Sequence, residues 1–142
     1  MSNLTLIFEC GLESVAALEV AGEDRGVGYA GFFENFALDT LQIGSEEADA
    51  CLQLIDAFDN QLDWDGDEVL YVENLILNEG STLDLNGLNV YCLNCTIEGT
   101  LISGGGALYN NGMLVPAAIN PEPTTVGLLL LGGLLILRRR KR

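Results

Sequence analysis

From Phe36 onward, short apolar alternations recur between clusters of Gly, Asn, Asp and Ser, and this pattern confines the body of the chain to a β fold. Apolar residues at every second position bury one face of a strand and leave the other wet. The pattern predicts strands at 38–43, 51–55, 69–77, 82–85, 88–93 and 96–102, with a further one at 17–20. It also repeats. Asp39-Thr-Leu-Gln-Ile-Gly44 aligns with Glu73-Asn-Leu-Ile-Leu-Asn78 at an offset of 34 residues. Each is followed by a second alternating segment, Cys51-Leu-Gln-Leu54 and Thr82-Leu-Asp-Leu85, and a third unit opens at Cys95. Repeated strand–turn–strand units suit a short β-solenoid, in which each rung buries its apolar face on its neighbours. Within one such rung, Leu83 and Leu85 are expected inside, with Asp84 and Asn86 outside. The dipeptide Asn86-Gly87 is a hairpin signal, and it supports the alternative, an antiparallel β-sandwich.

Charge narrows the function classes. Of six basic residues, five close the chain, leaving Arg25 alone against 21 acidic residues over positions 1–137. Such a body cannot hold a polyphosphate backbone, so nucleic acid is excluded as a partner. The chain contains no His, which removes the commonest general base and metal ligand. A hydrophobic fraction of 49%, arranged in regular alternation, argues for a folded rather than a disordered acidic body. A non-catalytic protein is the expectation. The third choice is a small secreted enzyme working through carboxylates alone, although acids this numerous pair by chance.

Several residues are candidate sites. Asp63, Asp65 and Asp67, around Gly66, resemble the centre of a calcium loop, in which alternate oxygens face the ion. However, Gln61 falls where the first ligand belongs and Val72 where a bidentate Glu is needed, so a solvated acidic loop is the competing reading. No cofactor is therefore expected, with calcium as the one alternative at this loop. Cys92 and Cys95 lack further ligands at zinc spacing. In a regular strand they would face opposite ways, and a mutual bridge would need a turn at Leu93-Asn94. Cys10 and Cys51 are a candidate disulfide, and buried thiols filling the rungs are the alternative for all four cysteines. Trp64, Tyr71, Tyr91, Tyr109 and the Phe32-Phe33 pair are either sugar-stacking or core aromatics. Residues 104–119, rich in Gly and Asn, are read as a spacer between the body (1–103) and the tail (120–142).

The tail has three parts in fixed order. Pro121, Glu122 and Pro123 make an extended, readable stretch. Thr124 or Thr125 then caps an uncharged hydrophobic helix of Val126, Gly127, Leu128, Leu129, Leu130, Leu131, Gly132, Gly133, Leu134, Leu135, Ile136 and Leu137. The basic stop Arg138, Arg139, Arg140, Lys141 and Arg142 follows. Twelve residues rise only about 18 Å as a helix, against a hydrocarbon core of about 30 Å. The helix reaches across with the two threonines and with snorkelling cations, which also place the body outside the cytoplasm. A buried core helix is the competing reading, and five contiguous cations argue against it.

In its Pro-Glu-Pro motif, short apolar helix and Arg-rich end, residues 120–142 resemble the PEP-CTERM sorting signal. That resemblance implies export, processing near the motif by an exosortase-type membrane transpeptidase, and association with extracellular polysaccharide. The segment from Glu79 to Tyr91 resembles the Gly- and Asn-punctuated rungs of autotransporter-like and PEP-CTERM-associated β-repeat proteins. Residues 1–10 lack the basic and apolar regions of a secretory signal, so a precursor with an upstream export signal is expected. The sequence thus predicts a membrane-anchored protein with an extracytoplasmic body, reaching the cell surface or matrix after processing. A carbohydrate- or calcium-dependent adhesion module with the same sorting signal is the alternative.

Overall fold

The computed structural model describes residues 4–117, and the body is mainly β. The sorting motif, the hydrophobic helix and the basic stop lie outside the described residues. Among the described residues, ten strands form two sheets. One has the order β1-β3-β5-β7-β9-β10, from β1 (Thr5–Phe8), β3 (Leu38–Ile43), β5 (Leu70–Leu77), β7 (Val90–Ile97), β9 (Leu108–Asn110) and β10 (Met113–Val115). The other has the order β2-β4-β6-β8, from β2 (Gly11–Glu19), β4 (Ala50–Ile55), β6 (Thr82–Asp84) and β8 (Thr100–Ile102). Up to β9, the chain alternates between sheets at every strand, so each strand lies parallel to the one two places before it.

The repeat seen in the sequence is the register of the sheet. Leu41 pairs with Leu75 and Ile43 with Leu77, at the offset of 34, while Leu52 pairs with Leu83. The third unit continues both ladders, Leu75 to Cys95 and Leu83 to Leu101. Seven of the eight strand pairings among the described residues are parallel. The antiparallel sandwich does not fit that pairing. Asn86-Gly87 does turn the chain, with φ of 51° and 85° and Leu88 N–H donating to the Leu85 carbonyl at 2.9 Å. It joins strands of different sheets, however, so it is a corner rather than a hairpin.

Between the sheets lies one continuous core. Leu41, Ile43, Leu52, Leu54, Leu75, Leu77, Leu83 and Leu85 are all essentially inaccessible. Burying a Leu or Ile side chain contributes about 1.5–3 kcal/mol, so this column is the main stabilising feature of the body. Leu83 and Leu85 point inward as expected, whereas Asn86 is exposed.

A strict two-residue period fails at one place in each rung. The core-facing residues are Leu38 then Leu41, Val72 then Leu75, and Cys92 then Cys95. Two consecutive residues leave the core there, and strand register skips Asp39, Glu73 and Leu93. The strands bend at that step, and the bends stack on one another. Asparagines fasten the stack: Asn74 Nδ2 donates to the Asp39 carbonyl at 3.2 Å, and Asn94 Nδ2 to Asn74 Oδ1 at 3.2 Å. Asn78 and Asn86 likewise donate to the Gly44 and Leu54 carbonyls, at 2.7 and 3.1 Å. The Asn residues that read as turn punctuation therefore also clasp one rung to the preceding one.

Residues 104–117 depart from the spacer reading. Gly104 and Gly105, with positive φ, turn the chain into β9, which pairs in parallel with β7. Then β10 folds back antiparallel on β9, and Val115 and Ala117 pack against the core. Without a bulky side chain, Gly106 lets the backbone pass against that of Leu88. The glycines thus serve close packing rather than reach.

Candidate functional site

Two excursions interrupt the regular turns: residues 20–37, with a 3-10 turn at Tyr29–Phe32, and residues 56–69. Both lie where the chain returns from the second sheet to the first, beside the corner at 85–89. A parallel register carries Tyr71, Tyr91 and Tyr109 onto one line on the outer face of the first sheet. Their rings stack, with centroids 4.9 and 5.3 Å apart and planes tilted by 20° and 14°. Phe32 meets Tyr71 edge-on at 5.1 Å. The Tyr71 and Tyr91 rings are buried, so these two aromatics are core, as the plainer reading of the sequence held.

Hydroxyls on this stack organise the first excursion. Tyr71 O–H donates to the Gly26 carbonyl and accepts from Arg25 N–H, both at 2.9 Å. Tyr91 O–H donates to Asp24 Oδ1 at 2.8 Å, and Asp24 also accepts from Gly26 N–H at 2.9 Å and Asn89 Nδ2 at 3.3 Å. Burial, reinforced by the neighbouring Asp24 carboxylate, pushes the Tyr91 phenol well above its ordinary range. Arg25 pairs with Glu23 at 3.0 Å and donates to the Phe33 carbonyl at 3.0 Å. The single cation of the described body therefore holds its own loop.

In the acidic loop, the residues that set the shape are not those with the calcium-like spacing. Glu68 is 3% exposed and accepts from Asn60 N–H at 2.6 Å and Asn60 Nδ2 at 3.1 Å. Glu19 Oε1 accepts from Ala57 and Phe58 N–H at 2.9 and 2.8 Å, and Gln61 Nε2 donates to the Ala21 carbonyl at 2.7 Å. Asp63, Asp65 and Asp67 are all exposed. Among the described residues, no three acidic or thiol side chains converge to hold a metal ion. Sequence spacing did not single out Glu19, Asn60 or Glu68: Glu19 and Asn60 reach across to another rung, and Asn60 and Glu68 meet across an irregular loop with no set period.

Trp64, Asp24, Asp67 and Asn89 line a cavity of about 200 Å³ between the two excursions and the corner. A second cavity, of about 280 Å³, shares Asp67, Gly87 and Leu88 with it and extends to Asp56 and Asn86. Together they form a polar groove across the Asn86–Asn89 corner. At a different corner of the rungs, Glu46, Asp49, Glu79 and Glu98 surround a wider depression of about 400 Å³.

The four thiols are free. Cys10 Sγ lies 3.9 Å from the Cys51 carbonyl oxygen, so the proposed partners are neighbours although their thiols are not joined. The Cys92 thiol donates to the Tyr109 carbonyl at 3.3 Å, and the bend at Leu93-Asn94 turns both Cys92 and Cys95 toward the core. Burial raises both above the ordinary thiol range, which makes them poor nucleophiles. No protein-family model, curated protein or solved structure matches this chain.

Proposed function

We propose that this is a non-catalytic exported protein, in which a short β-solenoid body is carried to the cell surface or extracellular matrix by a PEP-CTERM signal. One observation carries the reading: Pro121-Glu122-Pro123, an uncharged apolar run and five terminal cations occur in that order within residues 120–142. In this reading the prolines present an extended site to an exosortase-type enzyme, and the apolar run enters the membrane. The cations stay on the cytoplasmic side, since moving each of them through hydrocarbon costs about 2.5–3.5 kcal/mol.

The body suits display rather than chemistry. Its parallel ladders and leucine column support the solenoid reading, and its acidic outer surface favours solubility outside the cell. Extracellular polysaccharide is the proposed partner class, and the body acts without a required cofactor.

Protease shaving of intact cells tests the orientation. An epitope inserted after Asn111, at the exposed β9–β10 turn, is expected to be lost from intact cells while a cytoplasmic marker survives. An epitope that disappears only after lysis would place the body inside and overturn the proposal.

A further inference from the structure

The groove across the Asn86–Asn89 corner has a chemistry that selects its ligand. Its two compartments, of about 200 and 280 Å³, are smaller than the ~300–1,000 Å³ typical of pockets for drug-sized molecules, so each suits one small ring. Asp67 lines both compartments, is exposed, and has no hydrogen bond or ion pair with any described residue. The other carboxylates are committed: Asp24 accepts from three donors, and Asp56 Oδ2 accepts from Glu68 N–H at 3.0 Å. Trp64 supplies an indole on one wall, a surface suited to the C–H face of a pyranose and to a nearby ammonium group. Asn86 and Asn89 line the corner but are engaged in the fold, Asn86 Nδ2 donating to the Leu54 carbonyl and Asn89 joining Asp24 to Ala107 N–H, so Asp67 is the uncommitted carboxylate of the groove. The one cation of the described body, Arg25, is paired with Glu23 and does not line the groove, so nothing there balances a ligand carboxylate, sulfate or phosphate.

We propose that this groove binds an amino sugar, with the pyranose ring along Trp64 and its ammonium group on Asp67. The inference narrows the polysaccharide class proposed above but does not depend on the sorting signal, and its test leaves the tail intact.

Trp64 is the only tryptophan in the chain, so its emission reports on the groove directly. The full-length protein in neutral detergent would be titrated with a β-1,4-linked glucosamine tetramer and, separately, with the N-acetylated tetramer. The amine form is expected to shift Trp64 emission saturably, with at least tenfold higher affinity than the acetylated form. Asp67→Asn, at an exposed and unbonded side chain, should weaken binding at least tenfold. Glu79→Gln, which neutralises an acid at the other depression, should leave it unchanged. In calorimetry, Trp64→Ala should also weaken binding. No saturable response, or equal affinity for the two tetramers, would overturn the proposal. So would equal weakening by Asp67→Asn and Glu79→Gln, which would reduce the effect to the general acidity of the body.

Discussion

Replacing Leu83 by Ala tests the central packing feature of the body. Leu83 is fully buried, with Leu52 before it and Leu101 after it in the same ladder. Three carbons are removed, and at ~0.8 kcal/mol per buried carbon group the transfer loss is about 2.4 kcal/mol. Neighbours fixed by two parallel ladders cannot collapse fully into the gap, so a cavity contribution is added and the total should fall at about 3–5 kcal/mol. The adjacent Asp84 faces outward, where it accepts from Gln53 Nε2 and Asn86 N–H, both at 2.9 Å. Its replacement by Ala should cost about 1 kcal/mol. Urea unfolding of the full chain in neutral detergent, followed by far-UV circular dichroism, measures both. A cost below 1 kcal/mol for Leu83→Ala, or equal costs for the two variants, would refute the alternation of inward and outward positions on which the fold description rests.

Other perturbations separate the remaining features. Asn78→Ala removes the clasp on the Gly44 carbonyl and should lower stability by about 1–2 kcal/mol, measured by the same unfolding assay. Gly99→Ala should be costlier, because a Cβ there collides with the backbone oxygens of Ser81 and Asn78 on the preceding rung; loss of the cooperative thermal transition is the expected result. High pH should destabilise the body. The folded state raises the Cys92 and Tyr91 pKa values, so it favours their protonated forms. Their stabilisation is complete below the ordinary values of 9.0 and 10.0 and is lost as pH rises above them, at about 1.4 kcal/mol per pH unit for each group. Urea midpoints should therefore fall between pH 9 and 11, with a shallower decline in Cys92→Ala. A midpoint constant to pH 11 would contradict the burial of these groups.

Much of the body was legible because a repeat in a parallel stack is also a register. The offset between Asp39–Gly44 and Glu73–Asn78 became the pairing of β3 with β5, and the predicted strand at 38–43 coincides with β3. Three features were hidden from periodicity. The bend in each long strand puts two consecutive residues off the core, so period-two reasoning placed Cys92 and Cys95 on opposite faces when both turn inward. The strand β1 has only four residues and gains its meaning from pairing with β3, which local pattern does not display. The glycines of 104–106 looked like spacer because flexibility and close approach call for the same residue, and only the nearness of Leu88 distinguishes them. For the groove, Trp64 and Asp67 stood out in the sequence, whereas Asp24 and Asn89 come from distant segments joined by the fold.

The most direct test of the proposed function is processing of the tail. The full-length precursor, with an epitope in the body, would be expressed beside a variant carrying Pro121→Ala, Glu122→Ala and Pro123→Ala, in hosts with and without an exosortase. The expected result is a shortened, extracytoplasmic body only where motif and enzyme are both present. An uncut chain held in the cytoplasm in every host would contradict the sorting signal, and with it the proposed surface role.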